Sequence, residues 1–190
     1  MASRPRVLIA CEFSGIVRDA FIACGYNAVS CDLLPSELPG PHIQGDVLNQ
    51  VHKGWELMIA FPPCTYLCRS GARWHAGTGQ QQLALQFVRE LMAAPVPRIA
   101  IENPVGSISS HIRKPDLIIH PWEYGHGETK ATCLWLKCLP PLMATDIVME
   151  RYPRIHRESP GPDRWRNRSR ILPGIAAAMA SQWGPVIASN

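Results

Sequence analysis

The chain has 190 residues and a mass of 21.1 kDa, a size that suits one folded domain with one hydrophobic core. Hydrophobic residues make up 46% and charged residues 18%, which argues against wholesale disorder and fibrous repeats. No apolar run approaches the ~20 residues of a membrane span, and no signal-peptide pattern opens the sequence. We therefore expect a cytoplasmic protein without membrane contact. The seven scattered cysteines favour reduced thiols over a disulfide framework.

Positive charge is concentrated near the C-terminal end of the chain. The net charge is +4, yet seven arginines and only two acidic residues lie between Arg151 and Arg170. Clustered arginines suit phosphate binding, because each guanidinium can fork onto phosphate oxygens and release counterions. A solvated surface segment explains the same pattern equally well, and both interpretations stay open.

The N-terminal part of the chain alternates short apolar runs with a helical pattern. Residues 6–11 predict a strand, residues 14–15 a turn, and the apolar spacing that follows predicts a helix ending at residues 24–25. A second strand is predicted over residues 27–31, directly before Asp32. This strand–helix–strand rhythm is typical of a parallel sheet.

The rest of the chain continues this pattern up to an irregular, basic segment that ends at Pro173. Strands are predicted over residues 56–61, 98–101, 117–119 and 133–136, and helices over residues 80–93 and 174–183. We expect a single α/β domain with a Rossmann-like, mostly parallel sheet and helices on both faces. Its predicted parts are a core over residues 1–140, a basic Arg/Pro-rich segment over 141–170, and a closing helix of the same core within 171–190.

Residues with useful chemistry directly follow several predicted strands, namely Phe13, Asp32, Cys64 and Glu102. Ligands bind open α/β sheets at the carboxyl ends of the strands, so we expect the functional site there. Asp32 could accept hydrogen bonds from a ribose diol, and Asp46 from an adenine amino group. Each carboxylate could instead serve its own turn, and the sequence leaves both alternatives open.

Cys64 follows two prolines at the end of a predicted strand, where a rigidly held thiolate makes a good nucleophile. The alternative is a buried cysteine in a proline turn. A metal site formed with Cys68 lacks a second pair of ligands, so we expect no metal. Glu102 closes an apolar strand, where burial favours the protonated carboxyl that can donate to a ring nitrogen.

The loop beyond Cys64 is rich in glycine and carries Arg69, Arg73 and Trp74. A basic and aromatic loop of this kind is typical of a lid that closes over nucleic acid. We therefore expect these three residues to contact a nucleic-acid partner.

The order of these motifs resembles that of the DNA cytosine-5 methyltransferase family. The matching motifs are Phe13-Ser14-Gly15, Asp32, Gly45-Asp46, Pro63-Cys64, Glu102-Asn103-Pro104, the segment 124–132 before a strand, and the helix 173–180. The resemblance covers nearly the whole chain, whose length is similar to that of short members encoded by bacteriophages. It implies an S-adenosylmethionine-dependent methyltransferase fold, with the bacterial host cytoplasm as its location if a phage encodes it.

The resemblance also implies a role for each matching residue. Cys64 would attack cytosine C6, Glu102 would protonate or hydrogen-bond N3, Asn103 would position the cysteine loop, and Lys130 would support the reacting base. The cofactor pocket for S-adenosylmethionine would be lined by Phe13, Ser14, Gly15, Asp32, Asp46, Phe61 and Pro62. The DNA partner would meet Arg69, Arg73, Trp74, Arg154, Arg157, Arg164, Arg166 and Arg168. Its target base would have to leave the helical stack to reach the cysteine.

Three departures from the family pattern bear on function. Thr132 stands where a second cation is expected, and Arg170 stands where a neutral asparagine is expected. Only about thirty residues lie between Lys137 and Arg168, where a target-recognition domain is usual. Sequence readout should therefore be weak or short, or it should be completed by a second subunit in a homo-oligomer.

Arg170 allows two interpretations. It points outward to DNA phosphate, or it faces the cofactor pocket and pairs with a carboxylated S-adenosylmethionine. In the second case the product would be 5-carboxymethylcytosine instead of 5-methylcytosine. Two further alternatives to cytosine-5 methyl transfer in DNA also stay open: a catalytically inactive nucleic-acid-binding protein, and an enzyme that modifies RNA or free nucleotides.

Overall fold

The computed structural model describes residues 4–69, 77–153, 161 and 164–188. The strands are β1 Arg6–Ala10, β2 Asn27–Asp32, β3 His42–Gln44, β4 Leu57–Ala60, β5 Arg98–Pro104, β6 Leu117–Ile119 and β7 Thr132–Lys137. The α-helices are α1 Ile16–Ala23, α2 Gly79–Ala93, α3 Ile108–His111, α4 Arg164–Ser169 and α5 Pro173–Ala188. Single 3-10 turns cover Val47–Asn49 and Pro121–Glu123.

The described strands form one seven-stranded sheet with the order β3-β2-β1-β4-β5-β7-β6. Strands β1 to β5 pair in parallel, whereas β7 runs antiparallel to both of its neighbours, β5 and β6. This arrangement confirms the predicted α/β class with a mostly parallel sheet, and it is compatible with a Rossmann-like fold. The strand order reverses direction between β1 and β4, and a crevice opens at such a point at the carboxyl ends of the strands.

Helices cover both faces of the sheet because side chains alternate along each buried strand. Val7 and Ile9 of β1 pack in one core cluster with α1 and α5, which contributes Trp183. Leu8 and Ala10 of the same strand pack in a second cluster with α2. The closing helix α5 thus shares its core with the first helix. No helix in the described ranges has the length and apolarity needed to cross a membrane.

The observed elements differ from the predicted ones in several places. Strand β3 was not predicted, because its sequence His-Ile-Gln offers one apolar residue and no alternation to recognise. Helix α4 lies in a segment that we expected to be irregular, since Arg-Trp-Arg-Asn-Arg-Ser lacks apolar residues at helical spacing. Strand β5 continues to Pro104, so Glu102 and Asn103 lie within the strand instead of following it.

Candidate active site

The turn after β1 is built around Gly15, which has a φ of 80°. A Cβ at this position would lie 2.5 Å from Nη2 of Arg18, so both the backbone angle and the space require glycine. Arg18 is fully buried, and its Nη2 donates to the carbonyl oxygens of Leu38 and Pro39. The glycine turn therefore packs against an arginine that holds the loop after β2 in place.

Glu12 and Ser14 form a hydrogen-bonded pair within this turn. The Ser14 hydroxyl donates to Oε1 of Glu12 at 2.5 Å, and the backbone N–H of Val17 donates to the same oxygen at 3.3 Å. Burial raises the pKa of Glu12, while these hydrogen bonds and the charge of Arg18 oppose the shift. Glu12 Oε2 is also buried and has no hydrogen-bond partner in the described part of the chain.

Asp32 and Asp46 both lie near Cys11, the residue that follows β1. Oδ1 of Asp32 accepts from the N–H of Leu34, and Oδ1 of Asp46 accepts from the N–H of Leu48, both over 2.9 Å. Each carboxylate thus makes the turn contact that we considered as the alternative to ligand binding. Burial is the main reason that the pKa of the Cys11 thiol is raised. The negative charges of Asp32 and Asp46 raise it further.

The cysteine loop continues directly from β4 and is fixed at both ends. The backbone N–H of Phe61 donates to the Ala10 carbonyl at 2.9 Å, which ties the loop to β1. Beyond the two prolines, the carbonyl of Cys64 accepts from the N–H groups of Leu67 and Cys68. Cys64 therefore stands at the start of a single helical turn.

Asn103 connects the cysteine loop to β5. Its Nδ2 donates to the carbonyl of Pro62 over 2.7 Å, and both residues are buried. A second support lies beneath the helical turn, where Gly106 approaches the Leu67 carbonyl so closely that a Cβ would lie 1.9 Å from that oxygen. The backbone N–H of Ser107 donates to the same carbonyl at 2.7 Å. Strand β5 and the loop after it thus set the position of Cys64.

The Cys64 thiol is hydrogen-bonded to the thiol of Cys68, and this bond is the main reason that the pKa of Cys64 is raised well above its ordinary value. Burial raises it further, and the negative charge of Glu102 adds to the effect. Lys130 is close enough for its positive charge to oppose these contributions. This arrangement favours the thiol form of Cys64, while the charge of Lys130 favours its thiolate.

Glu102 is buried at the carboxyl end of β5, and Oε1 accepts a hydrogen bond from the hydroxyl of Thr132 on β7. The charges of Glu102 and Lys130 both act on Cys64, so side chains from three different segments lie near one another at one edge of the sheet. A nucleophile, a carboxyl and a cation in this arrangement suit addition of the thiol to an electron-poor ring that the carboxyl protonates.

Arg170 lies against the loop after β2. Its Nε and Nη2 donate to the two carboxylate oxygens of Glu37 at 2.8 and 2.7 Å, and the Glu37 N–H donates to the Phe13 carbonyl. Nε of Arg166 lies 3.6 Å from Oε1 of Glu37, and Cζ of Arg166 lies 5.9 Å from the centroid of the Phe13 ring. The junction of α4 and α5 therefore sits beside the predicted cofactor loop, and Arg170 holds a carboxylate of the protein itself.

The predicted DNA-binding residues are only partly described by the structure. Arg69 is exposed at the end of the turn that starts at Cys64. Arg164 and Arg168 belong to α4. The structure describes the backbone of these two residues but not their side chains. Four further predicted residues lie outside the described residues, namely Arg73, Trp74, Arg154 and Arg157. The described ranges contain no group of three His, Cys, Asp or Glu side chains arranged to hold a metal ion.

Several residues of the site were not assigned from the sequence. The family pattern marks Thr132 only as the position of a cation that this chain lacks. Its place two residues after Lys130 would put both side chains on the same side of an extended chain. Glu37 gave no signal, because its partner Arg170 is 133 residues away. Cys68 was considered only as a metal ligand. Its spacing of four residues from Cys64 was the clue to a thiol pair on one helical turn.

Comparison with known protein families finds no matching family for this chain, and comparison with curated proteins finds no match.

Proposed function

We propose that this chain transfers a one-carbon group from S-adenosylmethionine to C5 of cytosine in DNA through a covalent adduct at Cys64. The observation that carries the proposal is that Lys130 and Glu102 lie near Cys64, with Cys64 and Glu102 at the carboxyl ends of the neighbouring strands β4 and β5 and Lys130 just before β7. The resemblance of the motif order to that of the DNA cytosine-5 methyltransferases indicates cytosine in DNA as the substrate. The geometry supplies a nucleophile and an acid at the place where such a sheet binds ligands.

The acidic residues near the first glycine turn fit a donor of this kind. S-adenosylmethionine would supply a methyl carbon made electrophilic by a sulfonium. Glu12, Asp32 and Asp46 give this end of the sheet a negative character that suits a positively charged donor with a ribose diol. The buried Glu12 Oε2, without a partner in the described residues, is a natural acceptor for an ammonium group.

The catalytic residues would act on the cytosine ring in sequence. A solvent base takes the proton of Cys64, and the sulfur bonds to C6 from a thiolate that Lys130 stabilises. Addition of the sulfur releases the electron pair of the ring double bond. Glu102 gives a proton to N3, which neutralises the negative charge and leaves C5 electron-rich. After C5 has taken the carbon, whose bond to the donor sulfur breaks, a solvent base removes the C5 proton and the Cys64 sulfur departs as a thiolate. The N3 proton returns to Glu102, and the cytosine ring is restored. Asn103 keeps the cysteine loop in register with β5 throughout.

The proposal is tested with DNA that contains 5-fluorocytosine, because fluorine cannot leave C5 as a proton does and the adduct persists. We expect a denaturation-resistant adduct with the wild type and with Cys138→Ala, which removes an exposed thiol, but none with Cys64→Ala. Mass spectrometry of nucleosides from DNA of expressing cells then identifies the transferred group. Absence of both adduct and modified cytosine would favour the inactive binding protein, and an adduct with RNA or dCMP alone would favour the nucleotide-modifying enzyme.

A second candidate is carboxymethyl transfer, which is favoured because Arg170 forms a bidentate pair with a carboxylate. Its guanidinium already binds both oxygens of Glu37 beside the Phe13 loop, so it has the geometry that a carboxylated donor requires. Such a donor would have to replace Glu37 as the partner of Arg170. Both donors are therefore offered to the wild type, Arg170→Asn and Glu37→Gln. Methyl transfer with unchanged preference in all three proteins would exclude this candidate.

A further inference from the structure

Thr132 and Glu102 are joined by a buried hydrogen bond between neighbouring strands. The Thr132 hydroxyl donates to Oε1 of Glu102, and the two residues are 3% and 9% exposed. In the antiparallel register Glu102 lies opposite Leu134, and Pro104 lies opposite Thr132. Thr132 is thus the diagonal neighbour of Glu102 on one face of the sheet, within reach of a long side chain.

We propose that Thr132 is a positioning residue that directs the second carboxyl oxygen of Glu102, Oε2, to the base. This inference rests on the proposed function and deepens it, because it assigns a role to a residue that departs from the family pattern. Because the Thr132 hydroxyl hydrogen occupies Oε1, a proton that Glu102 gives to the base has to come from Oε2. The hydroxyl therefore determines which of the two oxygens is the acid.

The same hydrogen bond stabilises the carboxylate that forms when the proton leaves. As the bond between Oε2 and its hydrogen breaks and the N3–H bond forms, the electron pair stays on the carboxyl group. The Thr132 hydroxyl already points at this group and needs no reorientation as the charge develops, which is how a fixed donor lowers a barrier. Lys130 is near Cys64, so the nearby cation serves the thiolate while a neutral donor serves the acid.

The hydroxyl is tested by Thr132→Val, which removes it and nearly keeps the side-chain shape, and by Thr132→Ser, which retains it. We expect valine to lower kcat for transfer by roughly tenfold to a hundredfold, a part of the effect typical of general acid catalysis. KM for both substrates should stay within about threefold, and serine should restore kcat to within about threefold. Thr132→Ala removes the same hydroxyl and replaces valine in the comparison if the valine variant does not fold. The exposed Thr145→Val is the matched control and should leave kcat unchanged.

A second measurement separates positioning of Glu102 from a general structural effect. In a Glu102→Gln background the acid is absent, so Thr132→Val should lower kcat no further. A full additional loss in that background, or failure of serine to restore kcat, would overturn the inference. Unchanged kcat in Thr132→Val, with kcat still lost in Glu102→Gln, would overturn it and leave the proposed function intact. Absence of transfer by the wild type would overturn both.

Discussion

Asn103→Asp tests whether one side-chain amide holds the cysteine loop in place. Asn103 is 1% exposed, and its Nδ2 donates to the Pro62 carbonyl over 2.7 Å. Aspartate has the same shape and leaves no cavity, but it turns an oxygen toward the carbonyl oxygen. Leaving a buried acceptor without its donor costs about 1–3 kcal/mol. The buried negative charge adds to this cost, so we expect a loss of about 3 kcal/mol in the free energy of unfolding at pH 8.

The assay is thermal unfolding of the wild type and the variant. For a chain of this length, about 3 kcal/mol corresponds to a fall of roughly 6–12 °C in the melting temperature. Asn27→Asp makes the same chemical change at an exposed position and serves as the matched control. It should shift the melting temperature by no more than about 2 °C, as surface substitutions change stability by about 0.5 kcal/mol.

The destabilisation by Asn103→Asp should also depend on pH. A protonated carboxyl can donate to the Pro62 carbonyl, so the folded state raises the pKa of the introduced group above its unfolded value of about 3.9. A raised pKa adds stability that is present below the unfolded pKa and is lost as the pH rises through the folded pKa. The difference from the wild type should therefore be smaller at pH 5 than at pH 8. A melting temperature equal to that of the wild type at both pH values would refute the reasoning.

Three further predictions concern the surroundings of this loop. Cys68→Ala removes the main cause of the raised pKa of Cys64, so the midpoint of its alkylation by iodoacetamide should move to lower pH, and an unchanged midpoint would contradict the thiol pair. Gly15→Ala should lower the free energy of unfolding, measured with a denaturant, by about 1–3 kcal/mol, because Gly15 has a positive φ and a Cβ there would contact Arg18. The control Gly45→Ala, at a position with open space around it, should cost less than about 1 kcal/mol. Glu37→Gln should cost no more than about 1 kcal/mol, since both partners of the ion pair are partly exposed. Because Arg170 lowers the pKa of Glu37, the contribution of this pair should be present above the ordinary pKa of 4.5 and vanish as the pH falls through the lowered value, which a double-mutant cycle at pH 7 and pH 3 would detect.

The parallel part of the sheet was predictable because its signals are local. The apolar run of β1 and the helical spacing of α1 can each be recognised without knowing the rest of the chain. The ends of parallel strands then meet at one edge, which is why Asp32, Cys64 and Glu102 could be assigned to one region before their contacts were seen. Local pattern and topology together therefore predict a candidate site at this edge.

Contacts between distant residues were not predictable in the same way. Arg170 and Glu37 form a bidentate pair, yet nothing in the run of seven arginines distinguishes the one that meets a carboxylate from those that could meet phosphate. The thiol pair of Cys64 and Cys68 depends on the backbone forming a helical turn after two prolines. Each of these contacts is set by the fold as a whole, so neither could be derived from a single motif.

The direction of β7 explains how the segment before it can reach the site. A strand that ran parallel to β5 would bring Lys137, at the carboxyl end of β7, to the edge where Glu102 lies. Because β7 is antiparallel, its first residue Thr132 reaches that edge instead, and Lys130 just before it comes close to Cys64. The apolar run of residues 133–136 predicted that the sheet continues, but a run of this kind carries no information on strand direction. Reversal of this one strand therefore brings Lys130 and Thr132 to Cys64 and Glu102, and it supplies the part of the proposed mechanism that no local pattern could predict.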